Sequence, residues 1–199
     1  WHHRHKYLYL RDEGGVLAGL FRTEKVYATT GTFYPDAGQV NPDDAIYASK
    51  TSFALTRNAI TGDGLRGGAT LYLQVSMGFQ IERIFLNFDT SSIPDTDIVN
   101  SATLSIYHGA YHDINSSPNF RLYNSTASDN IVIEDYDLRG STLLSDTNVT
   151  NPTTNAYIDY TLNAAGLTNI SIIGKTKFSV VEATYDQGNS DHRFLMVLV

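Results

Sequence analysis

Carboxylates offer the first candidate chemistry. Asp36, Asp43 and Asp44 crowd one early loop, and Asp186 and Asp191 crowd a late one. Calcium takes about six to eight oxygens from carboxylates and carbonyls, so Asp36, Asp43, Asp44 and Asp186 are candidate ligands of a metal ion. The competing reading is that of solvated aspartates that cap turns. No EF-hand spacing is present. Asp95 and Asp97 lie two apart, as do Asp135 and Asp137. On a strand each pair would share a face, and on a loop either could hold a cation. Glycoside hydrolysis needs its two carboxyls to flank a cleft, and spacing alone does not build one.

Aromatic side chains flanked by polar ones offer the second. Tyr107, Tyr111 and His112 stand at a strand end and in the loop after it, and Tyr185 precedes Asp186-Gln187 in another loop. A tyrosine ring can stack on a sugar while its neighbours hydrogen-bond the hydroxyls, so these four are candidate glycan-binding residues. The alternative for each is packing at a sheet edge. The loop after Tyr107 also holds His108, His112, Asp113, Ser116 and Ser117. A Ser-His-Asp triad requires those groups to meet in space, and their proximity in sequence is thin support for one; no catalytic residue is assigned. His2, His3 and His5 lack the second ligand cluster that a closed zinc site needs.

Composition narrows the classes. The chain has 199 residues, 42% hydrophobic and 18% charged, enough for one substantial core. Its formal net charge is -7, which argues against nucleic acid, where a basic face must neutralise phosphates. It argues equally against an anionic membrane surface. No apolar run approaches the length of a membrane span, so no membrane insertion is expected. There is no cysteine, which a core of this size does not require and which leaves an extracellular location open. The chain opens on Trp1, not Met; it reads as processed, or as a piece of a longer polypeptide.

The elements that must position these residues are strands. In Gln80–Tyr107 (QIERIFLNFDTSSIPDTDIVNSATLSIY), Ile84, Leu86 and Phe88 alternate with Arg83, Phe85 and Asn87. Farther on, Ala102, Leu104 and Ile106 alternate with Thr103, Ser105 and Tyr107. Turn-forming residues separate the two runs. This predicts a strand, a loop and a second strand, with one buried face. Further strands are expected over 47–55, 69–76, 119–123, 156–162, 177–183 and 193–199. A short helical turn is expected near Asp135–Gly140 and a short helix capped by Asn163. The Gly-rich stretch 61–68 lacks the Lys-Ser/Thr ending of a phosphate loop. Short strands spaced by turns, with no long amphipathic helix, predict an all-β antiparallel β-sandwich. Residues 1–28 form an N-terminal arm, for subunit contact or linkage, and residues 29–199 the sandwich domain.

The order Thr32-Phe-Tyr-Pro-Asp36, Arg83-Ile-Phe-Leu-Asn-Phe-Asp89, Ile98-Val-Asn-Ser-Ala-Thr-Leu-Ser-Ile-Tyr107, Asp159-Tyr-Thr-Leu162 and Gly174-Lys-Thr-Lys-Phe-Ser179 resembles the DNRLRE-type modules, which look like jelly-roll carbohydrate-binding modules. Such modules occur in secreted bacterial and cell-wall proteins and in phage and environmental virus structural proteins. The resemblance spans roughly residues 30–199 and rests on core and turn positions. It implies a jelly roll, and a structural Ca2+ held where early and late chain segments meet. The first 28 residues match nothing in the family, and the chain stops at Val199 where such modules usually continue.

The leading expectation is therefore a non-enzymatic structural module, extracellular or on a virion surface, as a coat, decoration or fibre component. It would assemble with itself or other structural subunits through its terminal segments and could also bind glycans. The alternative is a carbohydrate-binding or adhesion module of a secreted or cell-surface protein. An enzyme is the weakest reading.

Overall fold

The computed structural model describes residues 7–11, 17–22, 31–33, 45–66, 78–108, 119–150 and 155–188. The chain divides into two compact units, Trp1–Thr32 and Phe33–Val199. The first contains an antiparallel hairpin of β1 (Tyr7–Arg11) and β2 (Leu17–Arg22), with a register shift at Leu10/Arg11.

The second unit is mainly β. Its strands are β3 (Ala45–Lys50), β4 (Gly64–Arg66), β5 (Phe79–Asp89), β6 (Thr103–His108), β7 (Asn119–Ser125), β8 (Arg139–Leu143), β9 (Val149–Thr150), β10 (Ala156–Thr161) and β11 (Lys175–Glu182). All pairings among them are antiparallel. Seven strands form one sheet in the order β4-β3-β5-β11-β7-β8, with β9 also on β7, while β10 and β6 form a two-stranded sheet. The two halves of the Gln80–Tyr107 stretch thus enter different sheets. The strands expected over 69–76 and 193–199 lie outside the described residues. No described helix is long and apolar enough to cross a membrane.

β5 and β11 lie at the centre of the large sheet. One face of that sheet carries Ile84, Leu86, Phe88, Phe178, Val180 and Leu122, and β6 and β10 lay Leu104 and Tyr160 on the same cluster. Ala102, Ile106 and Ile158 pack against it partly buried. Phe88 and Phe178 meet edge to face at 5.8 Å, a geometry worth about 0.5–1.5 kcal/mol beyond the area buried. The alternation read from the sequence holds here: residues two apart share a face, and the apolar ones meet.

The expectation of a single buried face does not hold. Every residue from Gln80 to Phe88 is buried. The opposite face carries Ile46, Ala48 and Phe85, covered by Ala127, Ile131 and Tyr136 from the segment between β7 and β8. That segment includes a 3-10 turn, Ile133–Asp137. A covering loop buries its own backbone carbonyls, which need donors. The polar residues of the strands beneath supply them. Lys177 Nζ donates to the Ala127 carbonyl at 2.6 Å, and Asn87 Nδ2 to those of Ser128 and Asp129 at 2.9 and 3.2 Å.

The strand expected over 47–55 is a strand and then a helix. β3 stops at Lys50, and α1 (Phe53–Arg57) begins after Ser52, whose side chain accepts from the Leu55 N–H. A serine N-cap satisfies one of the free amides that open a helix. The two other helical expectations agree with the structure: the 3-10 turn, and α2 (Ala164–Asn169), where Asn163 Oδ1 accepts from Gly166 N–H at 3.0 Å.

Candidate functional site

Two places in the described residues concentrate functional side chains. The first is internal. Arg83 on β5 is completely buried. Its Nε and Nη2 donate to the two carboxylate oxygens of Asp186 at 2.8 and 2.7 Å. Nη1 donates to the Tyr136 carbonyl at 2.9 Å, and Nη2 to that of Arg57 at 2.8 Å. The guanidinium carbon stands 4.1 Å from the centre of the Tyr136 ring, a cation–π contact strengthened by the loss of water. Asp137 adds a longer ion pair at 3.6 Å. Burial disfavours the charge on Arg83, but Asp186, Tyr136 and Asp137 together outweigh burial and hold its pKa above the ordinary value. The result is a guanidinium fixed by carboxylate, carbonyls and ring together.

Asp186 reaches this position through a π-helical turn, Ala183–Gln187, at the end of β11. The buried Glu182 carboxylate organises the turn, accepting from the N–H groups of Asn119, Thr184 and Asp186 at 2.8, 3.0 and 3.3 Å. Arg57, at the end of α1, donates to the Asp186 and Gln187 carbonyls. Arg139 Nε lies 3.8 Å from Asp186; burial and the nearby Arg83 charge lower its pKa. The neighbouring Asp135 is also committed, its carboxylate accepting from Ser128 N–H and Oγ–H and from Val132 N–H, each at 3.0 Å. Burial raises the Tyr136 pKa, so the phenol stays protonated and donates to the Thr56 carbonyl at 3.2 Å.

Of the metal candidates, Asp186 lies inside the protein with both carboxylate oxygens on Arg83. Asp36, Asp43 and Asp44, and Asp191 with them, lie outside the described residues. Among the described residues no three His, Cys, Asp or Glu side chains are grouped to hold a metal ion. Arg83 and Glu182 were missed as partners of Asp186 in the sequence; the one available signal was a charged residue inside an apolar strand.

The second place is the outward face of the β6–β10 sheet. Tyr107 pairs in register with Tyr157, Ser105 with Asp159, and Thr103 with Thr161. Between them on β10, Ile158 is partly buried and Tyr160 fully so. Tyr157 is 70% exposed, and Ser105 and Asp159 are exposed and joined by a hydrogen bond of 2.6 Å. Of the glycan candidates, Tyr107 therefore holds a register position beside an exposed tyrosine. Tyr185 falls in the π-helical turn, and Tyr111 and His112 lie outside the described residues. Tyr157 was legible in the sequence: Tyr157, Asp159 and Thr161 alternate with Ile158, Tyr160 and Leu162.

A shallow depression of about 480 Å³ lies beside α2, lined by Asn124, Thr142, Leu144, Ala164, Thr168 and Asn169. Its lining carries no formal charge. Compared with protein-family models, with curated proteins and with solved structures, the chain has no significant match.

Proposed function

We propose that this chain is a non-enzymatic structural module of an external assembly, a virion coat, decoration or fibre component, with a jelly-roll sandwich as its body. The observation that carries the reading is that residues 1–32 form a compact unit of their own, with a hairpin of five-residue β1 and six-residue β2. A two-stranded hairpin is marginal in water by itself and gains stability by burying a face against another surface. A neighbouring subunit supplies that surface in this reading. The internal charges fit the same picture: Arg83, Asp186, Asp135 and Glu182 serve as ties between segments. Removing residues 1–15, and β1 with them, should abolish assembly seen by sedimentation and electron microscopy while the far-UV spectrum of the body persists. Assemblies of normal size without those residues would rule the reading out.

A second reading, a carbohydrate-binding or adhesion module of a secreted or cell-surface protein, is favoured by the tyrosine and hydroxyl-rich face of β6–β10.

A further inference from the structure

We infer that the outward face of the β6–β10 sheet is a binding platform for neutral glycan chains, with Tyr157 as its stacking residue and the Asp159–Ser105 pair as its hydroxyl-recognising group. The inference deepens the second reading above and rests on it.

Three features of the face define the ligand. Tyr157 is large, amphipathic and 70% exposed, whereas the neighbouring Tyr160 of the same strand is buried in the core. A sugar ring presents a face of C–H groups that suits an aromatic ring, with hydroxyls around its rim. Asp159 follows two residues along the strand, about 7 Å from Tyr157. Its Oδ1 accepts from Ser105 Oγ at 2.6 Å, which orients the carboxylate and leaves acceptor capacity for a second hydroxyl. Thr161 and Thr103, both exposed, continue the row by another two residues with further hydroxyls.

Charge selects within the glycans. The described side chains of this face contain one carboxylate and no cation among Thr103, Ser105, Tyr157, Asp159 and Thr161. Uronates and sulfated sugars would meet repulsion from Asp159, with no cation among these five side chains to offset it. Neutral hexoses meet an acceptor for their hydroxyls. Because the polar pairs follow one another along two paired strands, the platform suits a chain lying along β10, not a single sugar in a closed pocket.

The test uses the full chain, titrated by calorimetry and NMR with neutral hexasaccharides of glucan, mannan and galactan type and with a uronate hexasaccharide as the acidic counterpart. The expected result is micromolar-to-millimolar binding of a neutral chain and none of the uronate. Tyr157→Ala should weaken it at least tenfold, Tyr157→Phe should retain it, and Asp159→Asn should weaken it severalfold, each with an unchanged melting temperature. Binding unaffected by Tyr157→Ala would overturn this site while leaving the glycan-binding reading intact. No binding to any neutral chain would overturn both, and preference for the uronate would overturn the charge argument on which the ligand class rests.

Discussion

Arg83 and Asp186 stand 103 positions apart and form a two-pronged ion pair, with both side chains almost wholly removed from water. The pair joins the middle of the central strand to the turn that follows its neighbour β11. Its members are unequal in their dependence on each other. Arg83 has the Tyr136 ring and two carbonyls besides, and Asp186 is held in place through its backbone by Glu182 and Arg57.

Removing the carboxylate should be severe. Asp186→Ala leaves a buried guanidinium without its counter-charge, at a cost of about 3–5 kcal/mol. Urea unfolding of the variant should show that loss. Replacing both partners together, Arg83→Met with Asp186→Leu, should cost less than the two single changes summed, because neither member of the pair is left buried without the other. A double-mutant cycle measures the difference, and strict additivity would show that the pair is not coupled.

Tyr136 offers a finer test of the same layer. Tyr136→Phe keeps the ring under Arg83 and loses only the hydroxyl, which donates to the Thr56 carbonyl and, at 3.5 Å, to that of Ile81. The expected cost is about 1 kcal/mol, read as a lower denaturation midpoint with an unchanged slope. Tyr136→Ala also removes the ring from the second cluster and should cost about 3–5 kcal/mol.

Acid should weaken the fold through identified carboxyls. Asp63 titrates below its ordinary value: burial pushes it up, but hydrogen bonds from Lys50 Nζ and Ser49 N–H outweigh that effect. Lys177 lowers Asp129, and Ser91 lowers Asp89. A carboxyl whose folded pKa is depressed contributes stability above its unfolded value, near 3.9, and loses it as pH falls through the folded one. The stability gap between wild type and Asp63→Asn should therefore be constant at neutral pH and close below about pH 4. Its size should not exceed about 1 kcal/mol, since the Lys50–Asp63 pair is a third exposed and screened by water. A gap that widened on acidification would contradict this assignment.

Gly78 is the residue just before β5 and has φ +122°. A Cβ there would also press on the Lys50 carbonyl. Gly78→Ala should destabilise by more than the ~1 kcal/mol that a permissive site would gain. Thermal melting measures it, and a melting temperature at or above wild type would show that the backbone at Gly78 can rearrange.

Much of this architecture was legible in the chain itself. Strict alternation placed Ile84, Leu86, Phe88 and Leu104 in one core, because side chains two apart on a strand share a face. Asn163 marked a helix start because a side-chain oxygen before such a turn caps it. The same alternation runs through Tyr157, Asp159 and Thr161, a signal of the exposed row that the expectation of a strand over 156–162 left unused. What alternation could not reveal was the second buried face. Arg83, Asn87 and Lys177 are polar, and polarity by itself reads as solvent exposure. Their donors serve carbonyls of a loop 41 to 53 residues farther along, or 50 earlier for Lys177. Nor could local pattern assign β5 and β6 to different sheets, or match Arg83 with Asp186. Periodicity acts over neighbouring residues, whereas the partner of a buried charge is chosen by which distant segments fold onto it and exclude water.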